Sequence, residues 1–337
     1  MIRALKCFKT KLGYREIGGV IMAGNSFGEI FKTHSFGESH GNGMGVVIDG
    51  CPSGVEFNEE LLESNLSRRR PGQSNITTDR NELENYEILS GVYEGKTLGT
   101  PIAIVVKNKD QRSKDYKNLA PRVGHADDVW QSKFTHVDPR GGGRSSGRET
   151  LCRVIAGSVA EMFVKQSIKD VNVFAFTKSI FNLEIQNNES IEACFKNHLA
   201  LEASKVRCPD TQISNQMEEL LIQAKEQGKS YGGVAGLWVQ GVPSGLGQPV
   251  FKKFKSDLTS ALMSIGATTG VAFGSGFEST KAEGTEFHSK DSEEVYGGVR
   301  GGITTGERLL LEVAFKPTSS VMDVAKKGRH DPCIIPR

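Results

Sequence analysis

Three arginines, Arg140, Arg144 and Arg148, surround the triple glycine Gly141-Gly142-Gly143, with Ser145 and Ser146 among them and Asp138 and Glu149 at the ends. Glycine lets main-chain amides come close to a ligand, and arginine offers a planar, permanently charged fork that matches phosphate and carboxylate. That composition makes an anion site and implies a phosphorylated or polycarboxylate ligand. The plain alternative is a solvated basic loop. Two further arginine clusters favour the anion site. Ser67-Arg68-Arg69-Arg70-Pro71-Gly72 sets three cations before a turn, more than the gain of about 0.3–1 kcal/mol from a cation at a helix C-terminus calls for. Arg329 precedes His330-Asp331-Pro332, and Lys316-Pro317-Thr318-Ser319-Ser320 joins a cation to hydroxyls as a second phosphate cradle. His40, His125 and His330 each lie near glycine and a charged residue, where an imidazole can titrate at a ligand. His34, His136, His198 and His288 read as ordinary hydrogen-bonding histidines.

These groups must be positioned by regular elements. Leu151, Val154, Ile155, Val159, Met162 and Phe163 recur at helical spacing, so the arginine loop opens a helix, and Ser146 with Glu149 has the form of a capping box. A helix is predicted from Asn58 to Arg69, with Asn58 as N-cap and Phe57 stapled to Leu62. Another is predicted from Phe251 to Ile265, with Phe251, Phe254, Leu258, Leu262 and Ile265 on one face and Gly266 at its end. Strand-like runs near 45–49, 101–107, 171–176, 233–240 and 309–315 show hairpin connections without regular β-α-β alternation, which predicts α+β. The polar stretch from Gly276 to Gly298 is expected to be a surface loop. Gly228-Lys229-Ser230 is no P-loop, because Gln223 stands where its first glycine belongs, and no dinucleotide fingerprint opens the chain.

Two patterns occur twice in the same order. Gly50-Cys51-Pro52-Ser53-Gly54 returns 191 residues later as Gly241-Val242-Pro243-Ser244-Gly245. Gly91-Val92-x-x-Gly95-x-Thr97-x-Gly99 returns 207 residues later as Gly298-Val299-x-x-Gly302-x-Thr304-x-Gly306. Each stands beside a strand-like run. Two halves sharing a strand–turn–helix–hairpin plan, packed about a pseudo-twofold axis, are the expectation.

The chain of 337 residues has 42 Lys and Arg against 40 Asp and Glu, a formal charge of +2, so its arginine clusters are local. That balance, with no RNP-like aromatic pattern, argues against nucleic-acid binding. No run is apolar for long enough to span a bilayer. Six cysteines without a Cys-x-x-Cys pair suit a reducing, cytoplasmic compartment better than disulfides or a zinc site. Residues 1–21 carry Arg3, Lys6, Lys9, Lys11 and Arg15 against Glu16 and read as an extension outside the fold, ahead of a single domain over 22–337.

Eight ordered segments from about Met22 onwards resemble chorismate synthase. They are Phe36 to Gly41 (FGESHG), Ser67 to Gly72 (SRRRPG), Leu89 to Lys96 (LSGVYEGK), Arg140 to Ser146 (RGGGRSS), Gly245 to Phe251 (GLGQPVF), Ala261 to Ile265 (ALMSI), Phe315 to Ser320 (FKPTSS) and Gly328 to Cys333 (GRHDPC). The resemblance implies a β-α-β sandwich of two pseudo-symmetric halves and a homotetramer. It implies 1,4-anti elimination of phosphate from 5-enolpyruvylshikimate 3-phosphate to chorismate, a shikimate-pathway step leading to the aromatic amino acids. Reduced FMN is required although the reaction has no net redox change. By the same resemblance His40 protonates the departing phosphate, His125 protonates the reduced flavin and Asp331 assists proton removal through flavin N5. Arg69, Arg70, Arg122, Arg140 and Arg329 hold the substrate's phosphate and carboxylates. Arg69, Arg144, Ser145, Ser146, Ala267, Gly301, Lys316, Pro317, Thr318, Ser319, Ser320 and Arg329 fall where the family binds FMN. No flavin reductase domain is evident, so reduced FMN is expected from an external reductant; some members of the family reduce it themselves with NADPH.

The chain departs from the family pattern at several points. Asn75 stands where many relatives have a basic residue, and Val123 replaces a proline. The segments between Phe277 and Gly298 and between Ser320 and Gly328 are short. The chain ends at Arg337, where relatives continue into an apolar helix. The alternative expectation is therefore a truncated homologue that binds flavin or partners without turnover.

Overall fold

The computed structural model describes residues 24–70, 85–108, 125–134, 136–138, 140–290 and 292–319. The chain divides into two compact units, one built mainly from residues up to Ser158 and the other mainly from Val159 onwards.

The first unit contains β1 (Ser26–Phe27), β2 (Lys32–Gly37), β3 (Gly43–Asp49), β4 (Ser53–Glu56), β5 (Tyr86–Ser90), β6 (Val92–Tyr93), β7 (Lys96–Leu98) and β8 (Ile102–Lys107). Its main sheet is antiparallel in the order β1-β2-β3-β8-β5. Met44, Val46 and Ile48 alternate along β3 and face Val106, Ile104 and Ile102 of β8, all six buried, so one face of the sheet is continuously apolar. Helix α1 (Glu59–Arg69) is capped as expected, with the Leu61 amide donating to Asn58 Oδ1 at 2.8 Å. Phe57 and Leu62 are both buried. Helix α2 (Asp127–Phe134) follows His125, and α3 (Thr150–Ser167) follows the arginine loop. Leu151, Ile155, Val159 and Met162 of α3 are buried, in keeping with their spacing.

The second unit contains β9 (Asn172–Ile180), β10 (Leu183–Glu184), β11 (Gly233–Gln240), β12 (Thr268–Phe273), β13 (Val299–Arg300), β14 (Ile303–Thr304) and β15 (Leu309–Phe315). Its sheet runs β10-β9-β11-β15-β12. On one face Phe174, Phe176 and Trp238 pack with Ile191, Phe195, Leu201 and Met217 from helices α4 (Glu189–Lys196), α5 (Leu199–Ala203) and α6 (Thr211–Gln227). On the other, Val239, Leu309 and Leu311 pack against Phe254, Leu258 and Leu262 of α7 (Phe254–Met263). Gly228, read above as part of a failed P-loop, is the left-handed C-cap of α6 at φ +65°.

The sequence echo is a structural echo. The sheet order β2-β3-β8-β5 is matched by β9-β11-β15-β12. The registers coincide under the same two offsets: Met44 pairs with Val106 as Ala235 pairs with Val313, and Ile48 with Ile102 as Val239 with Leu309. Thr97 Oγ1 donates to the Pro52 carbonyl at 2.6 Å and accepts from the Val55 amide at 3.0 Å. Thr304 Oγ1 does the same with the Pro243 carbonyl at 2.7 Å and the Leu246 amide at 2.9 Å. Each hydroxyl thus ties a hairpin to a turn by satisfying two main-chain groups that would otherwise cost about 1–3 kcal/mol apiece to bury. A third echo was invisible in the patterns. Phe36 lies across from Gly45, and Phe176 across from Gly236, each ring filling the space a glycine leaves on the neighbouring strand.

Three expectations need correction. The helix predicted from Phe251 begins only at Phe254, and Phe251 is 90 % exposed. The Phe254 amide is bonded to the Gly302 carbonyl, and Gln248 bridges to Lys252, so the preceding residues form a turn and not a helix face. Gly276 to Gly298 is not a loop but three short helical turns, a 3-10 turn (Gly276–Lys281), α8 (Gly284–Ser289) and α9 (Ser292–Tyr296). Glu283 caps α8 by accepting from the Glu286 amide, and Arg308 draws Glu293 of α9 to it at 2.7 Å. The capping box also fails. Ser146 caps a 3-10 turn (Gly147–Glu149) by accepting from the Arg148 amide, while the Glu149 carboxylate is drawn away by a cation.

Candidate active site

In the first unit the arginine loop folds against the turn between β2 and β3. It consists of two 3-10 turns, Arg140–Ser145 and Gly147–Glu149, ahead of α3. Gly142 and Gly143 take φ +82° and +52°, so the loop needs the conformational freedom its glycines supply. The Ser39 amide reaches the Gly143 carbonyl at 3.4 Å, and Ser39 Oγ lies 2.9 Å from His40 Nδ1. His40 is 1 % exposed, so its imidazole is sealed within the fold with one nitrogen held by a hydroxyl.

Each arginine has its own employment. Arg140 grips Asp138 through two fork contacts, Nε to Oδ1 at 2.8 Å and a terminal nitrogen to Oδ2 at 2.7 Å. Arg144 is a clamp, donating to Glu149 Oε2 at 3.0 Å, Ser35 Oγ at 2.8 Å, the Gly37 carbonyl at 3.2 Å and Asn25 Oδ1 at 3.2 Å. Arg148 is buried and donates from Nε to Asn108 Oδ1 at 3.0 Å. Arg69 reaches Thr150 Oγ1 at 3.3 Å, and that hydroxyl donates to the Gly147 carbonyl at 2.8 Å. Ser145 Oγ closes its own turn on the Gly142 carbonyl at 2.7 Å. A cavity of about 670 Å³ lies beside this loop, walled by Phe36, Glu38, Trp130, Lys133, Phe134 and Arg144.

Electrostatics bind the cluster. The Arg140 guanidinium holds the Asp138 carboxyl below the usual carboxylate range, against some opposition from burial, and the charge of His40 lowers it further. A depressed folded-state pKa contributes stability above the ordinary Asp value of about 3.9, which is lost as pH falls through the lower folded value. Asp138→Asn is therefore expected to lower stability by a constant amount at neutral pH, and the gap from wild type should close only below about pH 4. Urea midpoints measured from pH 7 to pH 3 would show it. A gap that closes between pH 7 and pH 5 would place the titrating group elsewhere.

The second unit assembles another set. Ala267 takes φ +68°, a left-handed conformation uncommon for a residue with a β-carbon, and its carbonyl accepts from the Lys316 amide at 3.0 Å. Thr268 pairs with Phe315, and the Thr318 carbonyl accepts from Ser230 Oγ at 2.9 Å. The hydroxyls of Thr268 and Thr318 are buried with no hydrogen-bond partner. A buried hydroxyl left unmatched in a strained turn fits a site completed by a polar ligand. Pro317 and Ser319 belong to the same turn, whereas Gly301, at φ +60°, lies at the tip of the β13–β14 hairpin.

His40, Arg69, Arg140, Arg144, Ser145 and Ser146 are thus brought together, and Ala267 meets Lys316. His125 is half-buried just before α2, and Arg70 is half-buried just after α1. Arg122, Arg329, Asp331, Ser320 and Asn75 lie outside the described residues. Asn108, at the end of β8, and the pairing role of Asp138 were missed. An aspartate two residues before an arginine, in Asp138-Pro139-Arg140-Gly141, was the available signal for the second; nothing local marked the first. Among the described residues no group of His, Cys, Asp or Glu could hold a metal ion, and no helix is long and apolar enough to cross a membrane.

Comparison with known proteins gives one answer. The family model for chorismate synthase matches residues 31–337. A chorismate synthase from Bdellovibrio bacteriovorus is 50% identical over 321 residues, covering 94% of this chain and 93% of its own. One from Christiangramia forsetii is 44% identical over 337 residues, with the same shares. A crystal structure of chorismate synthase superposes with a TM-score of 0.70 at 30% identity, covering 86% of this chain and 85% of that one. Coverage and identity of this order leave the alternative of a homologue without turnover unsupported. With eight sequence motifs, a fold and a family match in agreement, the chain belongs to the chorismate synthase family.

Proposed function

We propose that this chain eliminates phosphate from 5-enolpyruvylshikimate 3-phosphate to form chorismate, with reduced FMN as cofactor. The observation that carries the reading is His40, buried, held at Nδ1 by Ser39 and set beside the Asp138–Arg140 pair. With Nδ1 engaged, the proton for a ligand leaves from Nε2, to the bridging oxygen of the phosphate as the C–O bond breaks. Arg140, with Arg69, Arg70, Arg122 and Arg329, meets the anionic groups of the substrate, and Arg140 exchanges Asp138 for them. Exclusion of water around His40 strengthens each of these charge interactions.

Reduced FMN, when bound, would supply electron density that eases the departure of phosphate. Ala267, Gly301 and Lys316 to Ser319 of the second unit would hold it, where the unmatched hydroxyls of Thr268 and Thr318 support a polar ligand, and the resemblance adds Arg144 and Ser320 as further candidates. His125 and Asp331 are assigned the proton transfers on the cofactor side. Cys51, Cys152, Cys194 and Cys208 are buried free thiols, and burial pushes Cys152 up to about 12, which suits inert thiols in a reducing compartment. Exposed Ile30, Val250, Phe251 and Phe277 suit a homotetramer that covers them.

The test is anaerobic phosphate release from 5-enolpyruvylshikimate 3-phosphate with dithionite-reduced FMN. Stoichiometric release with chorismate formation is expected. A folded preparation that binds FMN but releases no phosphate would overturn the reading.

A further inference from the structure

We propose that Asn108 and Arg148 are positioning residues that hold His40 in its reactive place, an inference that rests on reading His40 as the acid. Asn108 follows the last residue of β8, next to the strand that leaves the His40 turn. Its Nδ2 donates to the Glu38 carbonyl at 3.1 Å and to the Gly41 carbonyl at 2.9 Å, the two that bracket Ser39 and His40. Its main-chain amide donates to the Asn42 carbonyl at 3.1 Å. One residue therefore fixes both ends of the turn.

An asparagine amide can flip, and flipped it would point an oxygen at two carbonyls. Arg148 forbids that. Guanidinium can only donate, so its Nε, 3.0 Å from Asn108 Oδ1, requires oxygen at that end and nitrogen at the other. Arg148 is 7 % exposed, and its own amide is capped by Ser146. It reads a neighbouring side chain, as Arg140 holds Asp138. The chain of contacts runs from the helix-opening arginine loop through Arg148 and Asn108 to the backbone of His40, and Ser39 completes it on the ring.

Displacing an acid by about 1 Å can cost about 100-fold in rate. Asn108→Ala is expected to lower kcat about 10- to 100-fold with KM and FMN affinity little changed. The limb of the kcat–pH profile that His40→Ala abolishes should move in the variant. Asn108→Asp keeps the shape but turns an acceptor toward two carbonyls, and the same loss of kcat is expected from it. Should the alanine variant not fold, the aspartate variant decides the matter. In a His40→Ala background Asn108→Ala should cause no further loss, because the residue acts only through His40. An unmoved pH limb, a change confined to KM, or an equal loss in the His40→Ala background would each overturn the proposal. If His40→Ala itself retains wild-type turnover, the fault lies with the acid assignment and not with the positioning.

Discussion

Replacing His40 with alanine is expected to lower kcat for phosphate release about 10²–10⁴-fold, the usual contribution of a placed general acid. Flavin affinity should fall far less than kcat, because His40 is assigned to the phosphate and not to the cofactor. The argument rests on burial. An imidazole 1 % exposed, with Nδ1 occupied by Ser39, has been taken out of water for a reason other than solubility. Its neighbours Asp138 and Arg140 form an ion pair at 2.7 Å, which on the proposed reading Arg140 gives up for the substrate's anion. His40→Asn keeps a side chain near Ser39 but has no proton to give, and the same fall in kcat is expected of it. Both variants should lack the pH limb on which wild-type activity declines as the acid loses its proton. Single-turnover phosphate release under anaerobic conditions measures the step directly. Either variant within threefold of wild type would remove His40 from the mechanism.

Much of this was legible in the sequence because the residues concerned announce themselves locally. The apolar runs at 233–240 and 309–315 became β11 and β15 without shift, since a strand packed on both faces carries a nearly continuous apolar run in plain view. Asn58 capped its helix because an N-cap needs only a side-chain oxygen and the next turn. What escaped depended on partners far along the chain. β2, β5 and β12 were missed, and each is short or polar on one face and owes its place to pairing with β3, β8 or β15. Glu149 looked like half of a capping box, but Arg144 and Ser35, the latter 114 residues away, claim its carboxylate. Asn108 carries no motif at all, because its meaning lies in two carbonyls about 70 residues before it. The anion-site reading named the charges but not their division of labour: three arginines in one loop do three different things.

The repeated turn offers a test on the fold itself, and its outcome is expected to differ within one pattern. Gly241 and Gly245 both take left-handed φ, +81° and +94°, and so do their counterparts Gly50 and Gly54 at +80° and +83°. Alanine at any of the four incurs a conformational cost of about 1–2 kcal/mol. Space separates them. A β-carbon on Gly241 would stand 2.3 Å from the Asp170 carbonyl oxygen, and one on Gly50 would stand 1.9 Å from that of Ile30. Both obstacles are main chain, which cannot rotate away, so the chain on one side must shift at a further cost of about 1–3 kcal/mol. On Gly54 and Gly245 a β-carbon meets nothing within 4 Å. Gly50→Ala and Gly241→Ala are thus expected to destabilise by about 2–5 kcal/mol and Gly54→Ala and Gly245→Ala by about 1–2 kcal/mol. Urea unfolding of the four single variants, followed by circular dichroism, measures the ranking. Four equal values would mean that backbone conformation alone sets the cost and that the close approach at Gly50 and Gly241 relaxes freely. The expected split, repeated in both units, would show that the first glycine of each turn is required by contact and the second by conformation alone.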